Sequence, residues 1–188
     1  MRIIGGQFKG KKLLQPNDKE TRPLKDLTKE SIFNILHHSS KFNLEIENSY
    51  VLDLFSGVGS FGLECISRKA KSVTFIENYK EVLPILKKNL SNLKAESDYE
   101  IIETDIFKNI SKTNFNYKYD IIFLDPPYKE KDLTNLIIKI KNKEITKSNT
   151  IFIIHRHKKE IDEFPEDFQI IEEKKYGIAK IIFGKLKN

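Results

Sequence analysis

Two short motifs could carry chemistry, a glycine-rich loop and the tetrapeptide Asp-Pro-Pro-Tyr at residues 125–128. Gly57, Gly59 and Gly62 have the spacing G-x-G-x-x-G, which lets the backbone approach a nucleotide closely because no β-carbon intervenes. Glu77 follows about 20 residues later, where a carboxylate can bind a ribose diol. These residues alone are compatible with a nicotinamide dinucleotide and with other adenosine cofactors.

Three further features favour S-adenosylmethionine over a dinucleotide. Asp53 lies just before the glycines, where its charge would repel a pyrophosphate but attract the sulfonium and ammonium groups of S-adenosylmethionine. Asp105 follows a later apolar run and could accept a hydrogen bond from an adenine amino group. Asp-Pro-Pro-Tyr has no evident role in hydride transfer. Two structural alternatives stay open, since Asp53 could cap the loop and Asp105 could be the N-cap of a helix.

The tetrapeptide suits methyl transfer to an exocyclic amino group of a base. Such a nitrogen is a poor nucleophile because its lone pair is delocalised into the ring. Asp125 and the carbonyl oxygen of Pro126 can accept its two hydrogens, and Pro127 restricts the turn that presents them. Tyr128 can stack on the base, which contributes about 1–3 kcal/mol in single-stranded recognition. The two prolines could alternatively form only a stiff turn.

Alternating strands and helices are predicted to position these motifs. We predict strands over residues 50–54, 72–77, 99–104, 119–124 and 150–155, and helices over residues 58–68, 80–93, 106–110 and 131–141. This alternation favours a mostly parallel sheet of seven strands that ends in an antiparallel hairpin turning near Tyr176 and Gly177. Pro84 predicts a kink or a helix start. His155 ends the fifth strand, where it could contact substrate, although a structural or solvated role is the more common one.

The N-terminal residues have a different pattern and a basic character. We predict short strands at residues 2–4 and 11–14, a helix over residues 25–38, and a division into an extension (1–45) and a catalytic domain (46–188). The net charge of +6 suits a polyanionic partner, although a lysine-rich genome would also produce it. The basic residues of this region could form a rim for RNA around the mouth of the active site, or could simply be solvated; they are Arg2, Lys9, Lys11, Lys12, Arg22, Lys25 and Lys29.

The composition of the chain indicates the cellular compartment in which we expect the protein. One cysteine, Cys65, excludes a disulfide within the 188 residues. No apolar run approaches about 18 residues, the length that a membrane span needs. The first residues also lack the long apolar core of a signal peptide. We therefore expect a cytoplasmic protein without a membrane partner. The histidines and the cysteine do not have metal-ligand spacing, so no metal is expected.

The chain resembles a known family over nearly its whole length. The pattern D-x-F-x-G-x-G at residues 53–59 and Asp-Pro-Pro-Tyr resemble class I S-adenosylmethionine-dependent methyltransferases. The stretches MRIIGGQFKGKKL and TRPLKDLTKESIFNIL resemble the RsmD family. The resemblance implies a Rossmann-like fold and methylation of the exocyclic 2-amino group of a guanine in 16S ribosomal RNA. We expect the RNA to be part of a 30S subunit or its assembly intermediate, and the protein to be a monomer, since no sequence feature indicates a larger assembly.

The resemblance also assigns residues to roles. It implies a cofactor pocket at Asp53, Phe55, Ser56, Gly57, Gly59, Glu77, Asn78, Asp105 and Ile106. It implies catalysis at Asp125, Pro126, Pro127 and Tyr128. Arg22 and Pro23 match a family segment near the active site, so we expect them to contact RNA together with the basic residues Arg2, Lys9, Lys11 and Lys12. The chain departs from the family pattern at Leu24, Leu27, Lys29 and Asn78. Two alternatives remain, an adenine-amino methyltransferase of DNA or RNA and an inactive RNA-binding module of the same fold.

Overall fold

The computed structural model describes residues 1–16, 24–42, 44–94, 97–127 and 130–187, which form one seven-stranded sheet flanked by helices. The strands are β1 (Tyr50–Leu54), β2 (Ser72–Glu77), β3 (Asp98–Glu103), β4 (Tyr119–Leu124), β5 (Thr146–His157), β6 (Phe168–Tyr176) and β7 (Ala179–Leu186). The helices are α1 (Asp26–His38), α2 (Ser60–Ser67), α3 (Leu83–Leu93), α4 (Ile106–Asn109) and α5 (Leu133–Asn142), with a 3₁₀ turn at Ile110–Lys112. The strands and helices predicted after residue 50 are all present, with small shifts at their ends.

The strand order is β3-β2-β1-β4-β5-β7-β6. Strands β1 to β5 are parallel to one another, and β7 is antiparallel to both β5 and β6. This topology confirms the predicted Rossmann-like α/β fold with a C-terminal antiparallel hairpin. The chain first moves from β1 to β2 and later returns to β4 on the other side of β1. Ligands bind beside such a reversal, at the carboxyl ends of the strands.

Apolar side chains cover both faces of the sheet. Along β1, Val51 belongs to the core cluster under α1, α2 and α3, whereas Leu52 belongs to the cluster under α4 and α5. Burial on both faces explains why the parallel strands are almost continuously apolar in sequence. Helix α3 begins at Leu83 with Pro84 in its first turn, so this proline marks a start and not a kink. Among the residues described, none of the helices combines the length and hydropathy needed to span a membrane.

Within residues 1–16, the two predicted strands meet at one antiparallel bridge, Arg2 with Lys12. The pairing is shorter than predicted because the following backbone groups bond to helix α2 instead. The amides of Ile4 and Gly5 donate hydrogen bonds to the carboxylate of Glu64, at 2.9 and 2.7 Å. The N-terminal segment is therefore attached to the sheet-covering helix α2.

A buried ion cluster strengthens this attachment. Glu64 is fully buried, with Nζ of Lys29 at 3.4 Å and Nε of Arg68 at 3.1 Å from its carboxylate. Lys29 also donates to the carbonyl oxygen of Arg2 at 2.7 Å. Burial lowers the pKa of Lys29, although the charge of Glu64 opposes this. Removing one partner of such a buried pair costs about 3–5 kcal/mol, so the cluster holds the N-terminal segment, α1 and α2 together. The domain boundary at residue 45 stays a prediction.

Replacing Gly6 with alanine should destabilise the protein by about 1–3 kcal/mol more than replacing Gly10 with alanine. An added β-carbon at Gly6 would lie 1.9 Å from the carbonyl oxygen of Ser67 at the end of α2. Gly10 is a matched control because its φ is also positive, yet an added β-carbon there meets nothing within 4 Å. Urea unfolding of both variants measures the difference. Equal losses would contradict a tight packing of the N-terminal segment on α2.

Candidate active site

The carboxyl ends of the parallel strands bring the predicted cofactor and catalytic segments to one edge of the sheet. Leu54, at the end of β1, is in register with Ile76 of β2 and with Leu124 of β4. The amide of Asp125 donates to the carbonyl oxygen of Leu54 at 3.3 Å. The Asp-Pro-Pro segment therefore leaves β4 directly beside the glycine loop, and β2 and β3 end at the same edge with the remaining predicted acidic residues.

The glycine loop after β1 is held by Ser56 and by two glycines with left-handed backbone. The hydroxyl of Ser56 lies 2.6 Å from the carbonyl oxygen of Asp53 and 3.1 Å from that of Ile76, so its one hydrogen is donated to either of them or shared between them. Gly57 and Gly59 have φ angles of +54° and +84°, which glycine adopts without a steric penalty. An added β-carbon at Gly57 would meet nothing within 4 Å. The loop thus presents bare backbone to open space, as a closely approaching ligand requires.

Glu77, at the end of β2, orients this loop. Its Oε2 accepts a hydrogen bond from the amide of Gly57 at 2.7 Å, and its Oε1 accepts from the amides of Asn78 and Tyr79, each at 2.8 Å. A carboxylate has about four acceptor positions, so three backbone bonds are compatible with a further hydroxyl donor. The contacts of Glu77 and of the exposed Asn78 with a ribose stay predictions.

Asp53 is the buried acid of the site. Its Oδ2 accepts from the amide of Gly62 at 2.9 Å, whereas its Oδ1 has no hydrogen-bond partner among the described residues. Burial raises the pKa of Asp53 to about 8; the Gly62 bond opposes this shift, and the charges of Asp125 and Glu77 add to it. A buried carboxylate oxygen without a partner is costly, and a cationic ligand or a hydrogen-bond donor would offset that cost. The residue therefore fits a positively charged cofactor.

Asp105 is the N-cap of α4, as the structural alternative proposed. Its Oδ1 accepts from the amide of Lys108 at 3.4 Å, and its Oδ2 lies 3.0 Å from the ammonium of the same lysine. The adenine contact of Asp105 stays a prediction. Nearby, Ile106 is buried, and the rings of Phe55 and Phe107 pack with their centroids 5.2 Å apart. These apolar groups provide a surface on which a flat base can lie.

His155 contacts the predicted catalytic acid, a partnership that sequence reasoning missed. Its Nδ1 lies 2.7 Å from Oδ1 of Asp125. Burial disfavours the charged imidazole, but the charge of Asp125 and its hydrogen bond outweigh burial and raise the pKa of His155. No sequence signal joins the two residues, since they approach each other only because β4 and β5 are neighbours.

Arg156 holds the segment that follows Asp125. Its guanidinium is almost completely buried and donates to the carbonyl oxygens of Pro127 and Glu130, at 3.4 and 2.9 Å. Its Nε donates to Asp162 at 2.8 Å. Pro126 is buried and Pro127 is exposed, whereas Tyr128 lies outside the described residues. An arginine inside the apolar run IFIIHRH was a sequence signal for such a buried role.

The predicted RNA contacts of the N-terminal segment lie on the surface. Arg2, Lys9, Lys11 and Lys12 are exposed, but Lys11 donates to the carbonyl oxygen of Asn92, at the C-terminal end of α3. Asn92 lies about 14 Å along the axis of α3 from Leu83, where the helix begins. The predicted basic rim around the active-site mouth stays a prediction for the exposed residues. Lys29 was wrongly placed in it, because its side chain is buried in the ion pair with Glu64. Arg22 and Pro23 lie outside the described residues.

Potential metal ligands do not cluster in the part of the chain that the structure describes. Across residues 1–16, 24–42, 44–94, 97–127 and 130–187, no three His, Cys, Asp or Glu side chains are grouped so that they could hold a metal ion. The buried and partly buried acids Asp53, Glu77 and Asp125 instead bond to backbone amides or to His155. The expectation that the protein needs no metal stays a prediction.

Comparison with known proteins identifies the family. The family described as conserved hypothetical protein 95 matches residues 1–185. Ribosomal RNA small subunit methyltransferase D of Haemophilus influenzae is 35% identical over 180 residues, covering 95% of this chain and 90% of that protein. The protein of the same name from Buchnera aphidicola is 36% identical over 172 residues, covering 92% and 86%. The solved structure of yhhF from Escherichia coli has a TM-score of 0.82 at 26% identity, covering 100% of this chain and 98% of that one. The chain therefore belongs to the conserved hypothetical protein 95 family, the RsmD family that its sequence resembles.

Proposed function

We propose that this protein transfers a methyl group from S-adenosylmethionine to the exocyclic 2-amino group of a guanine in 16S ribosomal RNA. The observation that carries the proposal is the placement of Asp125 beside the loop of Asp53 and Gly57, at one edge of the sheet. The names of the relatives support ribosomal RNA as the acceptor. The proposed substrate is a 30S subunit or its assembly intermediate, and the proposed enzyme is a cytoplasmic monomer.

The residues of the loop suit this cofactor. The buried Oδ1 of Asp53 lacks a hydrogen-bond partner among the described residues, which fits a cationic ligand. An added β-carbon at Gly57 would meet nothing within 4 Å, which fits a ligand that lies against the backbone. We assign the ribose to Glu77 and Asn78, and the adenine to Asp105 with Ile106 beside it. When bound, S-adenosylmethionine supplies an electrophilic methyl group on a sulfonium leaving group.

The Asp-Pro-Pro segment prepares the acceptor. The carboxylate of Asp125 accepts one hydrogen of the amino group and the carbonyl oxygen of Pro126 accepts the other, which frees the nitrogen lone pair. The nitrogen would take the methyl group that the bound cofactor supplies, which would leave S-adenosylhomocysteine, and the proton lost from nitrogen would pass to Asp125 or to water. Positioning of this kind can contribute up to about 7–11 kcal/mol. We assign Tyr128 to stacking on the base, with Pro127 held in place by Arg156.

A methyl-transfer assay with labelled S-adenosylmethionine tests this function. The acceptors are 30S subunits from cells that lack the cognate enzyme, naked 16S RNA and duplex DNA, and the labelled nucleoside is identified afterwards. Label in 2-methylguanosine supports the proposal, and the preferred acceptor reports the assembly state. Label in methyladenine would favour an adenine-amino methyltransferase. Cofactor binding without label on any acceptor would favour an inactive RNA-binding module.

The double substitution Lys9→Ala, Lys12→Ala should weaken RNA binding and flatten its salt dependence. Each lost phosphate contact should lower the slope of log K against log salt by about 0.7 for single-stranded RNA. Fluorescence anisotropy with labelled 16S RNA fragments over a range of salt measures the slope. The matched control is Lys174→Ala, Lys175→Ala, which removes the same charge from the edge strand β6, where both ammonium groups are at least half exposed. Equal slopes for the two variants would exclude the N-terminal segment as a specific RNA contact.

A further inference from the structure

We propose that His155 is a positioning residue for methyl transfer, which holds the Asp125 carboxylate in the orientation that accepts a hydrogen from the acceptor amino group. The inference rests on the proposed function of Asp125. Its first basis is the contact of 2.7 Å between Nδ1 of His155 and Oδ1 of Asp125. Both side chains are largely buried, with 11% and 20% of their surfaces exposed, so water competes weakly for this bond.

The sheet fixes the position of the imidazole. His155 lies in β5 and pairs with Ile181 of β7, while its neighbour Ile154 pairs with Leu124, the residue before Asp125. The backbone of His155 is held by its pairing with β7 and by the pairing of the preceding residue with β4, whereas Asp125 lies at the start of a loop. The carboxylate therefore loses much of its rotational freedom before substrate arrives, which is the condition for preorganised catalysis.

The contact leaves one carboxylate oxygen for the substrate. Among the described residues, Oδ1 of Asp125 bonds to His155 and Oδ2 accepts no hydrogen bond. Arg156 meanwhile fixes the carbonyl oxygen of Pro127 on the same segment. Two consecutive residues of β5 thus hold the acidic group and the turn that follows it, so that Oδ2 is the acceptor presented to the amino group.

Charged groups around the pair predict a pH dependence of the chemical step. Asp125 faces His155 from the end of β4, Arg156 adjoins it on β5, and the opposite Ile181 of β7 is uncharged. The charge of Asp125 also acts on Asp53 of β1. A charged imidazole draws electron density from the carboxylate and makes it a weaker acceptor. The value of kcat should therefore rise as the pH increases through the titration of His155.

Two variants separate positioning from packing. His155→Asn keeps an N–H donor close to the position of Nδ1, whereas His155→Leu removes the donor and keeps a similar volume. We expect His155→Leu to lower kcat by about 10- to 100-fold with little change in KM for S-adenosylmethionine. His155→Asn should keep kcat within about fivefold of the wild type but lose the pH dependence, because asparagine does not titrate. His157→Asn, two residues further along the same strand, is the matched control and should behave as the wild type.

The outcomes distinguish this inference from the proposed function. A wild-type kcat and pH profile in His155→Leu, or equal losses in His155→Leu and His155→Asn, would overturn the positioning role. A wild-type protein without activity on any acceptor would instead refute the proposed function. Imidazole NMR titration needs no acceptor RNA and decides the pairing in that case. The pKa of His155 should fall when Asp125→Asn removes the neighbouring charge, and an unchanged pKa would overturn the inference.

Discussion

Replacing Asp125 with asparagine should lower kcat for methyl transfer by about 10²- to 10³-fold and leave the Kd of S-adenosylmethionine nearly unchanged. Asparagine can still accept the hydrogen bond that His155 donates to Asp125 in the wild type, so the substitution removes charge while the segment stays in place. The amino group that reacts becomes nucleophilic only when strong acceptors take its hydrogens. An amide oxygen is a weaker acceptor than a carboxylate, because charge-assisted hydrogen bonds are roughly twice as strong.

Single-turnover kinetics and calorimetric titration of the cofactor measure the two quantities separately. Asp125→Ala should abolish transfer, since it removes both the charge and the acceptor. Asp98→Asn is the matched control, because Asp98 is exposed at the first residue of β3, at the opposite end of the sheet. A weaker binding of S-adenosylmethionine in Asp125→Asn, with an unchanged rate of transfer once the cofactor is saturating, would reverse the role assigned to Asp125.

The sequence predicted the central elements well for a physical reason. Parallel strands covered on both faces are short apolar runs, and the helices between them carry an apolar stripe, so the pattern changes at each boundary. The prediction was weaker where the chain meets distant residues. The N-terminal strands were predicted too long because Ile4 and Gly5 bond to Glu64, which lies about 60 residues away in the chain.

The sequence predicted that the acidic residues at the strand ends share one edge of the sheet, but it did not predict their partners. Four acids lie near the ends of successive strands, and topology alone brings these ends to one edge; they are Asp53, Glu77, Asp105 and Asp125. Their contacts depend on loop conformation and on strand order, which one-dimensional spacing does not contain. The bond of Asp125 to His155 requires that β4 and β5 be neighbours. The contact of Lys11 with Asn92 likewise depends on how the N-terminal segment docks.

Binding of S-adenosylmethionine should tighten as the pH rises towards 8, by up to about tenfold per pH unit, and Asp53→Asn should remove this dependence. Burial raises the pKa of Asp53 to about 8, so the carboxyl group is mostly protonated in the ligand-free protein at neutral pH. A cationic cofactor favours the carboxylate and lowers that pKa, so binding releases a proton. Affinity therefore increases with pH below the pKa of the ligand-free protein and levels off above it.

Calorimetry in buffers of different ionisation enthalpy measures this proton release, which should approach one proton per cofactor at neutral pH in the wild type and vanish in Asp53→Asn.

The raised pKa of Asp53 also has a consequence for the stability of the folded protein. Because the folded-state pKa of Asp53 is raised from 3.8 to about 8, its contribution to stability is present at acidic pH and is lost as the pH rises between these values. Asp53→Asn should thus flatten the decline of unfolding free energy over that range, while Asp98→Asn should not.

The asparagine in Asp53→Asn can keep the hydrogen bond that the amide of Gly62 donates, so a loss of cofactor affinity in this variant reports the missing charge and not a collapsed loop. Cofactor affinity that is independent of pH in the wild type would show that Asp53 does not meet the cationic part of the ligand.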